Sequence, residues 1–342
     1  MDHTYQEIKR QPQSFREALT KLQSMKSDFA SIFQESLDGV IFAGCGTSYN
    51  LALSAAHTFQ SVTTILTRGV PSSEVFLFPG GIFLPSKRYL FVAISRSGET
   101  SETVRALRFF AEQYQGKTVG ITCEPGSSLS RFSSFPIVFP FAHEESVVMT
   151  QSFSTMLLGL TFFALSLKGQ EDALNPLPEV LERKFLEEEK TVKALAEEER
   201  FNKFIFLGNG PYYGVAWEGS LKLKEMSLTP TETFHFLEFR HGPKSIVDEA
   251  TLIIALTSQS AFPFEQELLK EMVDLGATVF HLGTMPLHFP RTVEIIFQED
   301  GLADFALPIL DVAFLQMLGY FRAKHRGLDP DHPHNLTKVV TL

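Results

Sequence analysis

Val40-Ile41-Phe42-Ala43-Gly44-Cys45-Gly46 and Phe204-Ile205-Phe206-Leu207-Gly208-Asn209-Gly210 are one pattern written twice, an apolar run that stops at Gly-x-Gly. Later runs keep the same order in both halves. Leu90-Phe91-Val92-Ala93-Ile94-Ser95 is answered by Ile253-Ile254-Ala255-Leu256-Thr257-Ser258, and Thr118-Val119-Gly120-Ile121-Thr122 by Thr278-Val279-Phe280-His281-Leu282. A short apolar run bounded by turn residues is the mark of a strand buried on both faces, as in a parallel sheet. The repeat predicts two copies of one α/β module, and ligands of such sheets bind beyond the carboxyl ends of the strands. Function is expected in the loops at the ends of these runs.

Working outward, Phe15, Leu19, Leu22, Met25 and Phe29 recur at helical spacing among charges, predicting an amphipathic helix over 14–36 that packs on the first module. Apolar runs near 63–66, 89–94, 118–122 and 136–139 alternate with helical stretches, and a long helix ends near Leu167. This is a doubly wound pattern. The 342 residues exceed what one hydrophobic core usually serves. The expected division is an N-terminal helix over 1–37, a first module over 38–168, a linker and connecting helix over 169–200, a second module over 201–324 and a tail over 325–342. Gly169, Asn175, Pro176 and Pro178 mark the linker, and the Glu-Lys run over 179–199 reads as a solvated helix face.

A formal net charge of -10 argues against a basic nucleic-acid-binding face, while leaving room for a small anion held by a few donors. Cys45 and Cys123 are the only cysteines, too few for a disulfide framework or a thiolate metal site, which fits a reducing cytoplasm. The polar N-terminus lacks the apolar core of a secretion signal, and the apolar stretch Met156 to Leu167 falls short of the about 20 residues that a membrane span needs. No metal constellation stands out, since His332 and His334 lack supporting carboxylate or Cys spacing.

The turn Ser95-Arg96-Ser97-Gly98-Glu99-Thr100 comes after a strand and opens a helix. It brings three hydroxyls, a guanidinium and free backbone N–H groups to a positive helix end, which suits a phosphate. The alternative is plain helix capping by Ser and Thr. Gly44-Cys45-Gly46-Thr47-Ser48, with its own hydroxyls at Thr47 and Ser48, is expected beside it, though Gly-x-Gly alone is weak evidence. Glu218, Lys222 and Glu225 stand at i, i+4, i+7 and share a helix face where a base and an ammonium could converge. On spacing alone an exposed ion-paired stripe is the commoner explanation. By the same standard His241 reads as structural and Lys338 as a solvated tail residue.

Taken together, these motifs resemble the sugar isomerase (SIS) family, and within it the isomerase half of the glucosamine-6-phosphate synthases. The resemblance rests on 44–49, 95–100, Glu218-Gly219-Ser220-Leu221-Lys222-Leu223-Lys224-Glu225, Arg240-His241-Gly242-Pro243 and the tail Pro333-His334-Asn335-Leu336-Thr337-Lys338-Val339-Val340-Thr341. It implies an α/β fold of two tandem flavodoxin-like modules, each a parallel sheet with helices on both faces. Ser48, Ser95, Ser97 and Thr100 would bind the sugar phosphate, with Thr47 and Arg96 from the same motifs and the backbone of Val147. Glu225 would be the base moving a proton between C1 and C2, with Lys222 and Glu218 as companions. His241 would open the sugar ring from a second subunit, and Lys338 would form a Schiff base with the ketose. The resemblance thus implies a homodimer with shared active sites, and on the charge, spacing and length arguments above, no cofactor or metal is expected and neither nucleic acid nor membrane is expected as a partner.

Two departures from the synthases shape the expected activity. Position 2 is Asp, where a glutaminase domain would carry its nucleophilic Cys, so glutamine-dependent synthesis by this chain alone is not expected. Arg96 replaces the Gln common in the synthases, and Ser-Arg-Ser-Gly is similar to the stand-alone amino-sugar-phosphate deaminases and isomerases. The expectation is a cytoplasmic phosphosugar isomerase or deaminase acting on a hexosamine or ketohexose 6-phosphate. A fructosamine-6-phosphate deglycase is the alternative within enzymes. A sugar-phosphate sensor is the alternative outside them, weakened because binding alone does not require Glu225, His241 and Lys338.

Overall fold

A computed structural model describes residues 2–34, 36–298 and 301–338. The chain opens with α1 (His3–Ser24) and α2 (Lys26–Ile32), separated at Met25. The single helix expected over 14–36 is therefore two helices, and the first begins well before Ser14. The early turns escaped the pattern because several of their inward positions are polar: Thr4, Gln11 and Ser14 are buried alongside Ile8, Phe15 and Leu22.

The first sheet holds β1 (Gly39–Gly44), β2 (Thr67–Pro71), β3 (Tyr89–Ile94), β4 (Thr118–Thr122) and β5 (Phe135–Val138), all parallel, in the order β2-β1-β3-β4-β5. Between and after them run α3 (Thr47–Thr63), α4 (Ser72–Leu77), α5 (Ser101–Tyr114), α6 (Ser128–Phe132) and α7 (Gln151–Ser166). The apolar run near 63–66 is not a strand. Helix α3 continues to Thr63, Thr64 takes a left-handed φ of 63°, and pairing with β1 starts only at Thr67. Strand β2 lies at the sheet edge with a single buried residue, so its sequence carries little apolar signal. Phenylalanines fill both faces of the sheet. Phe29, Phe33, Phe42, Phe59 and Phe163 interlock on one side, and Phe83, Phe91, Phe110 and Tyr114 on the other.

After the connecting helix α8 (Leu177–Ala196), the second sheet holds β6 (Lys203–Gly208), β7 (Thr231–Phe234), β8 (Thr251–Leu256), β9 (Thr278–Gly283) and β10 (Thr292–Ile296). Its order, β10-β9-β8-β6-β7, is that of the first sheet read from the other edge, and its helices are α9 (Pro211–Ser227), α10 (Phe262–Asp274) and α11 (Leu307–His325). Each sheet is thus a doubly wound parallel sheet with its switch point between the first and third strands of the module. The repeated glycine that ends each opening strand has a steric reason. A Cβ on Gly44 would lie 2.4 Å from the backbone of Ser48, and one on Gly208 2.7 Å from that of Tyr212, so only glycine lets strand and helix approach this closely.

The chain divides into two compact units, one of Arg10–Pro178 with Thr337–Leu342 and the other of Met1–Lys9 with Glu179–Leu336. The apolar stretch Met156 to Leu167 lies mostly in α7, which is buried almost throughout. Among the described residues no helix is long and apolar enough to cross a membrane.

Candidate active site

In the unit of the first sheet, the loops after β1 and β3 leave the sheet at its switch point, where doubly wound sheets bind ligands. These loops carry Thr47 and Ser48, buried in the first turn of α3, and the turn 95–100. Gly98 has a φ of +64°, and a Cβ there would lie 2.1 Å from Ser127 Oγ, so the turn excludes any other residue without rearrangement. Ser95 Oγ lies 2.9 Å from Thr100 Oγ1 and 3.5 Å from Ser97 Oγ. Thr100 is the N-cap residue of α5, yet its side chain makes no cap hydrogen bond. The hydroxyls thus gather at the helix start, where Ser95 Oγ also accepts from Gly98 N at 3.0 Å and Ser97 Oγ from Glu99 N at 3.2 Å, while that of Thr100 is left uncommitted to a cap.

Arg96 behaves differently from its neighbours. Its guanidinium is directed to protein acceptors: Nη1 donates to Glu144 Oε2 at 3.0 Å and Nη2 to the Val147 carbonyl at 2.9 Å and the Lys338 carbonyl at 3.2 Å. The sequence reading that gave Arg96 a charge-assisted contact to phosphate meets a side chain already engaged. The structure does bring Arg96, Val147 and Lys338 together. The rest of the tail motif, Val339, Val340 and Thr341, lies outside the described residues.

Glu144 is a residue that the sequence reading missed. Its side chain is buried and accepts from Thr150 N at 2.7 Å and Ser152 N at 3.0 Å at the start of α7, as well as from Arg96. A carboxylate at a helix N-terminus is favoured by the exposed N–H groups and the helix dipole. Nothing in the local pattern set Glu144 apart from Glu145, since the partner that defines its role is forty-eight positions away in sequence. Neither thiol in this unit is activated: burial pushes both Cys45 and Cys123 above the ordinary thiol range.

In the unit of the second sheet, Glu218, Lys222 and Glu225 line one face of α9, and the exposed stripe that their spacing favoured is not what forms. Lys222 and Glu218 have no solvent exposure, and Glu225 is 18% exposed. The Lys222 ammonium lies 3.3 Å from Glu218 Oε1 and donates to Glu225 Oε2. Burial works against the ammonium, but the two carboxylates outweigh it and hold Lys222 above the ordinary lysine range. His241 lies off this helix, on an exposed turn after the short helix Leu237–Arg240.

The switch point of the second sheet is occupied by the protein itself. Glu265 accepts from Ser258 N at 2.8 Å and from Asn209 Nδ2 at 2.9 Å, and Asp304 accepts from Gln259 N at 2.7 Å. The N–H groups of Ser258 and Gln259 at this switch point are thus met by carboxylates. Burial raises Glu265 to about 7 against the opposing pull of these hydrogen bonds. Among the described residues no cluster of His, Cys, Asp or Glu is arranged to hold a metal ion.

Comparison with known proteins agrees with this architecture. Residues 36–166 match the SIS domain. The glutamine–fructose-6-phosphate aminotransferase (isomerizing) of Methanothermobacter thermautotrophicus is 30% identical over 98% of this chain, which spans 57% of that enzyme's length. The C-terminal domain of glucosamine-fructose-6-phosphate aminotransferase from Francisella tularensis shares the fold, with a TM-score of 0.81 at 23% identity over 97% of this chain and 98% of that one. A solved glucosamine-6-phosphate deaminase from Thermotoga maritima is 32% identical with a TM-score of 0.74, and 96% of this chain aligns with 100% of that one. Two parallel five-stranded modules of one topology, a hydroxyl-rich turn at the switch point and this end-to-end likeness establish that the chain belongs to the SIS domain family.

Proposed function

We propose that this protein is a sugar-phosphate isomerase of the SIS family that acts as a deaminase on a hexosamine 6-phosphate. The observation that carries the reading is the buried triplet of α9. An ammonium without solvent exposure, set between two carboxylates, is a costly way to stabilise a helix. It is well suited to fixing a carboxylate for proton transfer. The likeness to the Thermotoga maritima deaminase, over 96% of this chain and 100% of that one, favours ammonia release over plain isomerisation.

In this reading the turn 95–100, with Thr47 and Ser48, receives the phosphate, and His241 of a second copy opens the sugar ring. Glu225 takes the C2 proton of the open-chain aldose, and C1 regains a proton, leaving an imine at C2. Water hydrolyses that imine to ketose phosphate and ammonia. With a ketose as substrate, the Lys338 amine adds to the carbonyl and water leaves, so that the imine draws electrons from C1. Shared sites make the working form a homodimer.

The purified protein tests this with glucosamine 6-phosphate, galactosamine 6-phosphate and fructosamine 6-phosphates, ammonia and ketose being followed together. Equal release of ammonia and ketose phosphate from one of the hexosamine phosphates is expected. Turnover confined to fructosamine 6-phosphates would make it a deglycase, and binding without turnover a sensor.

A further inference from the structure

We propose that Arg96 is a positioning residue that docks the C-terminal tail, clamping Lys338 against Glu144; the inference rests on the reading that Lys338 takes part in turnover. Lys338 is held at both ends. Its backbone carbonyl accepts from Arg96 Nη2 at 3.2 Å, and its Nζ donates to the backbone carbonyl of Glu144. Arg96 is itself held to Glu144 through an ion pair of 3.0 Å, in which the two side chains are 8% and 0% exposed. Its remaining reach is spent on the carbonyls of Val147 at 2.9 Å and Ser146 at 3.4 Å.

Both ends of the clamp are anchored in regular structure. Glu144 takes the N–H and hydroxyl groups of Thr150 at 2.7 and 3.0 Å and those of Ser152 at 3.0 and 2.5 Å, which ties it to the start of α7. The Arg96 carbonyl accepts from Cys123 N and Thr122 Oγ1, each at 2.9 Å, which ties it to the end of β4. The backbone of Arg96 thus belongs to the hydroxyl-rich turn while its side chain belongs to the tail. A planar, always-charged fork can hold a carboxylate and three carbonyls at once, whereas a lysine ammonium offers a single point of attachment. In this docked state the Lys338 amine is parked as a donor on Glu144. To add to a carbonyl carbon it must lose a proton and leave that acceptor, with water as the group expelled from the ketose.

Arg96→Gln and Arg96→Lys test the clamp through kcat and KM, hydrogen exchange of the peptide covering 330–342, and borohydride trapping of Lys338 with a ketose 6-phosphate. Arg96→Gln is expected to lower kcat by about 10- to 100-fold, as loss of alignment does. KM should stay within about threefold because the hydroxyls remain. Tail exchange should quicken and trapping should fall, with Arg96→Lys intermediate. Added guanidinium should restore part of the kcat of Arg96→Ala, which a global folding defect would not allow. Unchanged kcat and tail exchange in Arg96→Gln would overturn the clamp, as would a rise in KM alone, which would make Arg96 a phosphate ligand. Lys338→Gln separates the two claims. If it keeps native kcat, the role of Lys338 in turnover fails, and tail exchange alone then decides whether Arg96 docks the tail.

Discussion

Lys222 and Glu218 stand one turn apart on α9, 3.3 Å from ammonium to carboxylate, and neither side chain touches solvent. Removing the cation leaves Glu218 buried without its charge partner. Lys222→Met is therefore predicted to cost about 3–5 kcal/mol of stability by denaturant unfolding. The double variant Glu218→Gln/Lys222→Met should recover much of that loss, since no buried charge is then left alone. A loss in the double variant equal to the sum of the losses in Glu218→Gln and Lys222→Met would show that the pair is not coupled.

Gly98 offers a test of the turn in isolation. Gly98→Ala would place a methyl 2.1 Å from Ser127 Oγ at a φ of +64°. The variant should lose about 1 kcal/mol or more of stability and bind inorganic phosphate or a sugar phosphate more weakly. Calorimetric titration checks the second effect, and native phosphate affinity in Gly98→Ala would place the anion elsewhere.

The strand pattern of both modules was legible because buried parallel strands write themselves as apolar runs, and the Gly-x-Gly phrase recorded a steric need at Gly44 and Gly208. Strand β2 was misplaced because an edge strand with one buried residue has no such run. The hydroxyls of 95–100 were legible as a cluster, being contiguous in sequence. Glu144 and Glu265 were not, because their roles come from partners brought in by the fold: Arg96 and the start of α7 for one, the loop after β8 for the other. Spacing placed Glu218, Lys222 and Glu225 on one face but could not show which side of α9 the core would cover. Arg96 was recognised by its position in the turn, whereas its side-chain direction depends on a tail more than two hundred positions away.

Glu265 should give the protein a measurable pH dependence. Its folded-state value is raised from 4.5 to about 7, so the folded state binds the proton more tightly than the unfolded chain. The stability this group contributes is complete below 4.5 and declines as pH rises toward 7, by on the order of 3 kcal/mol. Glu265→Gln is predicted to flatten the native pH–stability curve between those values. A variant curve parallel to the native one would mean that Glu265 does not titrate there.

Asp311 on α11 is fully buried, and neither carboxyl oxygen has a hydrogen-bond partner among the described residues. Burial alone drives it well above the ordinary carboxylate range. By the same sign, its contribution is lost as pH rises above the unfolded value of about 4. Asp311→Ala, which removes the carboxyl without overfilling its site, should stabilise the protein by about 1–3 kcal/mol at neutral pH. Thermal unfolding of the two proteins at neutral pH is the check, and a strongly destabilised Asp311→Ala would mean that the carboxyl has a partner in the working protein.

The proposed base Glu225 moves a proton between C1 and C2 of a phosphorylated sugar, and proton exchange in heavy water measures that step directly. With glucosamine 6-phosphate and ketohexose 6-phosphates in turn, NMR should show the native protein introducing deuterium at C1 or C2 of one of them. Glu225→Gln should slow that exchange by about 100-fold or more at saturating substrate. Exchange in the variant at the native rate, or none at either carbon in the native protein while it releases product, would contradict the account.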